Sequence, residues 1–182
     1  EGNWDAAVRA WKKYQALAEP PYETIKVRYH LAQLLYKNGE KEKAVTELMT
    51  LWKEAPPKQW LQKIEAELQE MKIFPLENET TAMTLIENLV EKRRFKEAAE
   101  VLERIVLRTE GALSETATFL KARILYGQGQ YQEALPLFER VAASSKIESL
   151  RIGSENRKFS ILIRLKKYQE VQPSLYYEWA KR

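Results

Sequence analysis

Tyr126-Gly127-Gln128-Gly129-Gln130-Tyr131-Gln132-Glu133-Ala134-Leu135-Pro136-Leu137-Phe138-Glu139-Arg140-Val141 is the stretch that decides the fold. It joins a Gly-containing turn to an aromatic residue, then a small residue, then a bulky apolar one, at the spacing of a helix face. The pattern recurs as Arg94-Phe95-Lys96-Glu97-Ala98-Ala99-Glu100-Val101-Leu102 and as Asn38-Gly39-Glu40-Lys41-Glu42-Lys43-Ala44-Val45. It also opens the chain, as Gly2-Asn3-Trp4-Asp5-Ala6-Ala7-Val8-Arg9-Ala10-Trp11. A pattern that returns in this way marks stacked helical hairpins and moves the functional question from catalysis to contact.

With the alanine as anchor, Ala7, Ala44, Ala98 and Ala134 stand 37, 54 and 36 residues apart. A weaker copy, Lys166-Lys167-Tyr168-Gln169-Glu170-Val171, places Val171 another 37 residues on. A small residue on the second helix of a pair lets it approach the first closely, and the aromatic three residues earlier (Trp4, Phe95, Tyr131, Tyr168) covers the turn. Four residues after each anchor comes a large apolar side chain: Trp11, Leu48, Leu102, Phe138 or Leu175. On the preceding helices Ala32 and Ala122 are the small partners of Ala44 and Ala134.

The 54-residue interval is too long for one hairpin. Trp60, Ile64, Leu68 and Met71 form an apolar stripe there, so an inserted helix starting near Pro57 is expected. Ile73 to Asn78 then links it to the next repeat. Helices are expected over 4–18, 22–37, 41–55, 58–72, 79–92, 95–109, 114–127, 131–144, 148–165 and 168–181, with no strand. Pro136 and Pro173, each two residues after an anchor, predict second helices that start late or kink. The chain thus reads as one all-α domain over 1–182. It has a half repeat at 1–18, a repeat at 22–56, the inserted helix at 57–72, repeats at 79–110 and 114–145, and a degenerate repeat at 148–182.

Small anchor, preceding aromatic, Gly turn and the helix-ending Pro56 together resemble the tetratricopeptide repeat (TPR). The resemblance implies a right-handed α-α superhelix, a TPR-like solenoid of about ten antiparallel helices. A narrower resemblance lies in the order of parts. Leu51-Trp52-Lys53-Glu54-Ala55-Pro56 leads to the Trp60–Leu68 helix, and the Ile73–Leu76 linker leads to Leu89–Ala98 and Ala122–Tyr131. That succession is similar to the N-terminal α-superhelical region of soluble lytic murein transglycosylases, periplasmic enzymes that cleave peptidoglycan through a separate lysozyme-like domain. It implies a cell-envelope location and a guiding or scaffolding role in peptidoglycan turnover. The alternative is a stand-alone TPR adaptor of an outer-membrane assembly or cell-division complex.

The residue inventory argues against chemistry in this chain. Transglycosylase catalysis uses a general-acid Glu followed by Ser and a Gly-Leu-Met-Gln stretch; Glu148-Ser149 supplies only the dipeptide and reads as a helix start. With His30 the sole histidine and no Cys, neither a His-based metal cluster nor a Ser-His triad can be built. Glu65, Glu67 and Glu70 read as a solvated helix face, and no phosphate-binding Gly loop occurs. The expectation is therefore no catalytic residue, no metal and no cofactor. Lys92-Arg93-Arg94-Phe95-Lys96 is a basic turn whose aromatic is engaged in packing, so nucleic acid is not the expected partner. No apolar run is long enough to cross a bilayer. Charge is nearly balanced until the C-terminal end, where residues 151–182 carry 8 Lys/Arg against 3 Asp/Glu, a bias that would attract acidic partners.

The resemblance implies that the first helix of each pair lines a concave groove for a protein or peptide ligand, a glycan strand or the protein's own catalytic domain. Carried over by position, this nominates Lys26, Tyr29, Gln33, Tyr36 and Lys37. Later repeats contribute Met83 and Glu87, then Phe119, Arg123 and Tyr126, then Asn156 and Ser160. The Lys-and-Asn arrangement by which chaperone-binding TPR domains hold a terminal carboxylate is missing. Trp4, Trp11 and Tyr14 have no preceding helix to cover them. They are expected to pack on the 22–37 helix or on a second molecule as a homo-oligomer contact, as in a segment of a longer superhelix.

Overall fold

A computed structural model describes residues 9, 10, 13, 21–108 and 114–170. Among them every regular element is helical: α1 Pro21–Lys37, α2 Lys41–Lys53, α3 Lys58–Glu70, α4 Glu79–Glu91, α5 Phe95–Arg108, α6 Glu115–Gly127, α7 Tyr131–Ser144 and α8 Glu148–Arg164. Short 3-10 turns follow at Pro75–Glu77 and Tyr168–Glu170. Trp4, Trp11 and Tyr14 lie outside the described residues, as do most of the expected helices 4–18 and 168–181. None of the described helices is long and apolar enough to cross a membrane.

The chain divides into two compact units, 1–88 and 89–182, within α4. In the first, α1 and α2 form a hairpin around buried Leu31, Leu35 and Ala44. Arg28 of α1 pairs with Glu47 of α2 and, at 2.8 Å, with Glu54 just past its end. In the second, α6, α7 and α8 pack around Ala122, Ala134, Leu135, Phe138, Ile161 and Leu162. The anchors Ala44, Ala98 and Ala134, together with Ala32 and Ala122, are fully buried. A methyl group at these places sets how closely the helix axes approach.

Five turns close in one way. Glu40 N–H donates to the Leu35 carbonyl after α1, Ile73 N–H to that of Leu68 after α3 and Arg94 N–H to that of Leu89 after α4; Gln130 and Lys167 do the same to Leu125 and Leu162 (2.8–2.9 Å). The residue before each of these donors is left-handed: Gly39 (φ 87°), Lys72 (φ 60°), Arg93 (φ 58°), Gly129 (φ 83°) and Lys166 (φ 58°). This is the Schellman arrangement, which satisfies helix-terminal carbonyls and reverses the chain. The leucine five residues before each donor makes the turn legible even where glycine is absent.

The inserted helix begins after Pro57, whose carbonyl accepts from Trp60 and Leu61 (2.8 and 3.0 Å). Trp60, Leu61, Ile64 and Leu68 are buried, whereas Met71, expected in the stripe, is half-buried at the helix end. The Asn88 side chain of α4 donates to the Lys53 carbonyl at 2.7 Å, satisfying an end of α2 from a distance. Pro136 narrows one expectation to a kink rather than a late start. It is the sixth residue of α7, which runs unbroken from Tyr131 to Ser144, so the helix does not start late. Its missing N–H would have bonded Gln132, and both residues are exposed, leaving that carbonyl to water. Pro173 lies outside the described residues.

Gly127 is not a turn residue in the conformational sense. It ends α6, and a Cβ there would fall into the Phe95 ring, 2.6 Å from Cδ1 and closer to Cε1 and Cζ. The aromatic at the head of α5 thus packs on the bare backbone at the end of α6. Gly127→Ala is expected to cost about 1–3 kcal/mol by overpacking. Adding Phe95→Leu should recover part of that loss, since the two residues are in contact. Urea melts of the two single variants and the double variant check this; strict additivity would contradict the packing.

Candidate functional site

Two faces carry the nominated residues, one in each unit. In the first unit, Tyr29 and Gln33 lie one turn apart on α1 and meet α3. Tyr29 Oη donates to Glu67 Oε2 at 2.7 Å, and Gln33 Nε2 donates to the same oxygen at 2.9 Å. Gln33 also contacts His30 Nδ1 at 3.1 Å. The Tyr29 ring meets that of Trp60 edge-on, with centroids 5.4 Å apart. Burial pushes the Tyr29 phenol well above its ordinary 10, helped by its bond to Glu67 and the charges of Glu67 and Glu70. Glu67 therefore does not belong to a purely solvated face: it turns toward α1 and engages two of the groove candidates. Lys26 and Lys37 are exposed, and Tyr36 is half-buried against the α1–α2 core with the Lys41 ammonium 5.7 Å from its ring centre. Met83 is buried at 5% exposure and offers a ligand almost no surface, while Glu87 is exposed.

In the second unit the end of α4, its turn, α6 and α8 enclose a cleft of about 640 Å³. Arg93, Arg123, Arg157 and Arg164 line it beside Phe95, Tyr126 and Tyr131, with Glu91 as the acidic member. The positions follow from local structure. Arg93 is raised on its left-handed turn. Arg123 and Tyr126 stand three residues apart on α6, and Arg157, Ser160 and Arg164 recur at one-face spacing on α8. Tyr126 and Tyr131 meet edge-on at 5.4 Å. The Arg157 guanidinium lies 5.0 Å from the Tyr126 ring centre, and that of Arg164 lies 5.7 Å from Tyr126 and 5.5 Å from Tyr131. Tyr126 Oη and Ser160 Oγ are hydrogen-bonded at 2.9 Å.

Burial by itself would raise the Tyr126 phenol, but the Ser160 hydroxyl and the Arg164 and Arg157 guanidinium groups outweigh it and hold the phenol below its ordinary 10. Tyr29 and Tyr126 occupy equivalent-looking helix faces yet shift oppositely, because carboxylates surround one and guanidinium groups the other.

Of the nominated residues, Arg123 and Tyr126 line this cleft and Ser160 bonds to it. Phe119 is half-buried and does not line it; its ring is edge-on to Phe138 at 5.8 Å, a Cβ at Gly153 would come within 3.2 Å of it, and the Arg123 guanidinium lies 5.9 Å from its centre. Asn156 is exposed and does not line it. Arg157 was one position away, and its spacing of three and seven residues to Ser160 and Arg164 was the signal for it. Arg93 had no such signal, because it belongs to a turn rather than a face.

A family model described as tetratricopeptide repeat matches residues 1–59 and 83–146. The interval between the two matches holds nearly all of α3 and the 3-10 turn, the parts that interrupt the repeat spacing. No curated protein and no solved structure matches the chain significantly.

Proposed function

Because the chain belongs to the tetratricopeptide repeat family, we propose that it is a protein-interaction module, non-catalytic in itself, that holds a partner on the exposed faces of its hairpins. The observation that carries this reading is the cleft of the second unit. Half-buried aromatic rings and arginines converge there with no carboxylate–histidine or nucleophile–base pair among its lining residues. Aromatic and arginine side chains are the residue types that most often anchor interfaces.

The order of hairpin, inserted helix, linker and further hairpins supports a narrower assignment, the repeat region of an envelope protein of the soluble lytic transglycosylase type. In that setting the module would guide a glycan strand or seat a catalytic domain. Selection of a random peptide display library on the full chain tests the general reading: enrichment of a sequence motif is expected, and its absence would count against protein binding. Incubation with purified peptidoglycan sacculi tests the rest. Binding without release of soluble muropeptides is expected, and release would overturn the non-catalytic assignment.

A further inference from the structure

We propose that the cleft between the α4–α5 turn, α6 and α8 is the docking site for an acidic segment of a protein partner, with carboxylates on Arg93, Arg157 and Arg164 and an apolar side chain against Phe95 and Tyr131. This rests on the protein-interaction reading and adds the chemistry of the ligand.

The charge balance of the lining is four arginines against Glu91. Among the described residues, Arg93, Arg157 and Arg164 have no carboxylate partner. Arg28 and Arg94, by contrast, are paired with glutamates. Arg157 and Arg164 instead lie against tyrosine rings. Stacking of this kind restrains the Arg157 guanidinium while leaving its N–H fork, the group that pairs bidentately with a carboxylate, available; Arg164 also hydrogen-bonds the Tyr126 and Tyr131 phenols and offers its remaining donors.

Size decides between acidic macromolecules. About 640 Å³ falls in the range of pockets that enclose a small ligand or a few side chains. A duplex would instead call for a row of cations along a backbone. Apolar lining from Val90, Phe95 and the two tyrosines favours a segment that alternates acidic and apolar side chains.

The test is fluorescence anisotropy with the full chain and a labelled peptide of glutamates flanking one tryptophan, against its glutamine counterpart. The glutamate peptide is expected to bind roughly tenfold more tightly, and less so as salt rises. The double substitution Arg157→Ser with Arg164→Ser should remove that preference. Arg140→Ser, an exposed arginine of α7 outside the cleft, should leave it intact. Circular dichroism of each variant verifies folding; if the double variant unfolds, Arg93→Ser, on an exposed turn, takes its place. Equal binding of the two peptides, or a preference that survives the cleft substitutions, overturns the inference. So does a single-stranded oligonucleotide that binds more tightly through the same arginines. A display selection that enriches a motif without acidic residues would leave the protein-interaction reading standing while this one falls.

Discussion

Replacing Phe138 with alanine is expected to lower the unfolding free energy by about 3–5 kcal/mol, the range for deleting a fully buried aromatic ring. Phe138 is 0% exposed and sits where α6, α7 and α8 converge. Its neighbours explain why the site should not collapse around the gap. Ala134, Ala122, Ile161 and Leu162 are held by three different helices, and Phe119 meets the ring edge-on at 75°. Phe138→Leu keeps most of the volume and should cost about 1.5 kcal/mol or less. In urea the midpoint should fall in that order while the slope stays constant, because the surface exposed on unfolding hardly changes. A loss under about 1 kcal/mol for the alanine variant would show that the cluster is not the core of its unit.

The second large effect lies in the other unit, at Trp52. The residue is 0% exposed, and among the described residues its indole N–H has no hydrogen-bond partner. Two opposing terms follow. Burying the indole removes a large apolar area from water, so Trp52→Ala should cost about 3–5 kcal/mol. The orphaned N–H carries a desolvation penalty of about 1–3 kcal/mol that the apolar term must exceed. Trp52→Phe removes the penalty with part of the ring, so the two changes offset and the net loss should be under about 1.5 kcal/mol. Thermal and urea unfolding of the pair of variants checks this. A phenylalanine variant as damaged as the alanine one would mean that the N–H is satisfied, by a water for example, and that the ring contributes through its polar edge.

Most helix boundaries were readable because they depend on neighbours along the chain. The eight described helices start and stop within about two residues of the expected places. The anchor alanines are buried as their spacing required. Pro136 is an instructive case. Local rules predict a late start or a kink; the late start is ruled out, because the carbonyl that loses its donor is solvated and the helix continues through the proline. Glu67 is another. On an isolated helix it belongs to the polar side, and only the approach of α1 gives it Tyr29 and Gln33 as donors.

The site was less legible than the fold. Arg123, Tyr126 and Ser160 follow from carrying positions over from the repeat resemblance, whereas Arg157 and Arg164 occupy neighbouring positions of α8 that the carry-over passes by, and Arg93 and Phe95 enter from a turn and the helix head after it, some thirty residues before Arg123.

The Tyr126–Val141 stretch and its copies were sufficient by themselves for the helical-hairpin build, the insertion after Pro56 and the burial of Ala44, Ala98 and Ala134. Those features depend on periodicity and turn chemistry, energies summed over a few adjacent residues. Only the tertiary structure decided that Gly127 serves Phe95, that Glu67 turns inward, and that four arginines share one cleft. Each of these depends on the angle and distance at which whole helices meet, a quantity set by the packing of the entire interface rather than by any stretch of it.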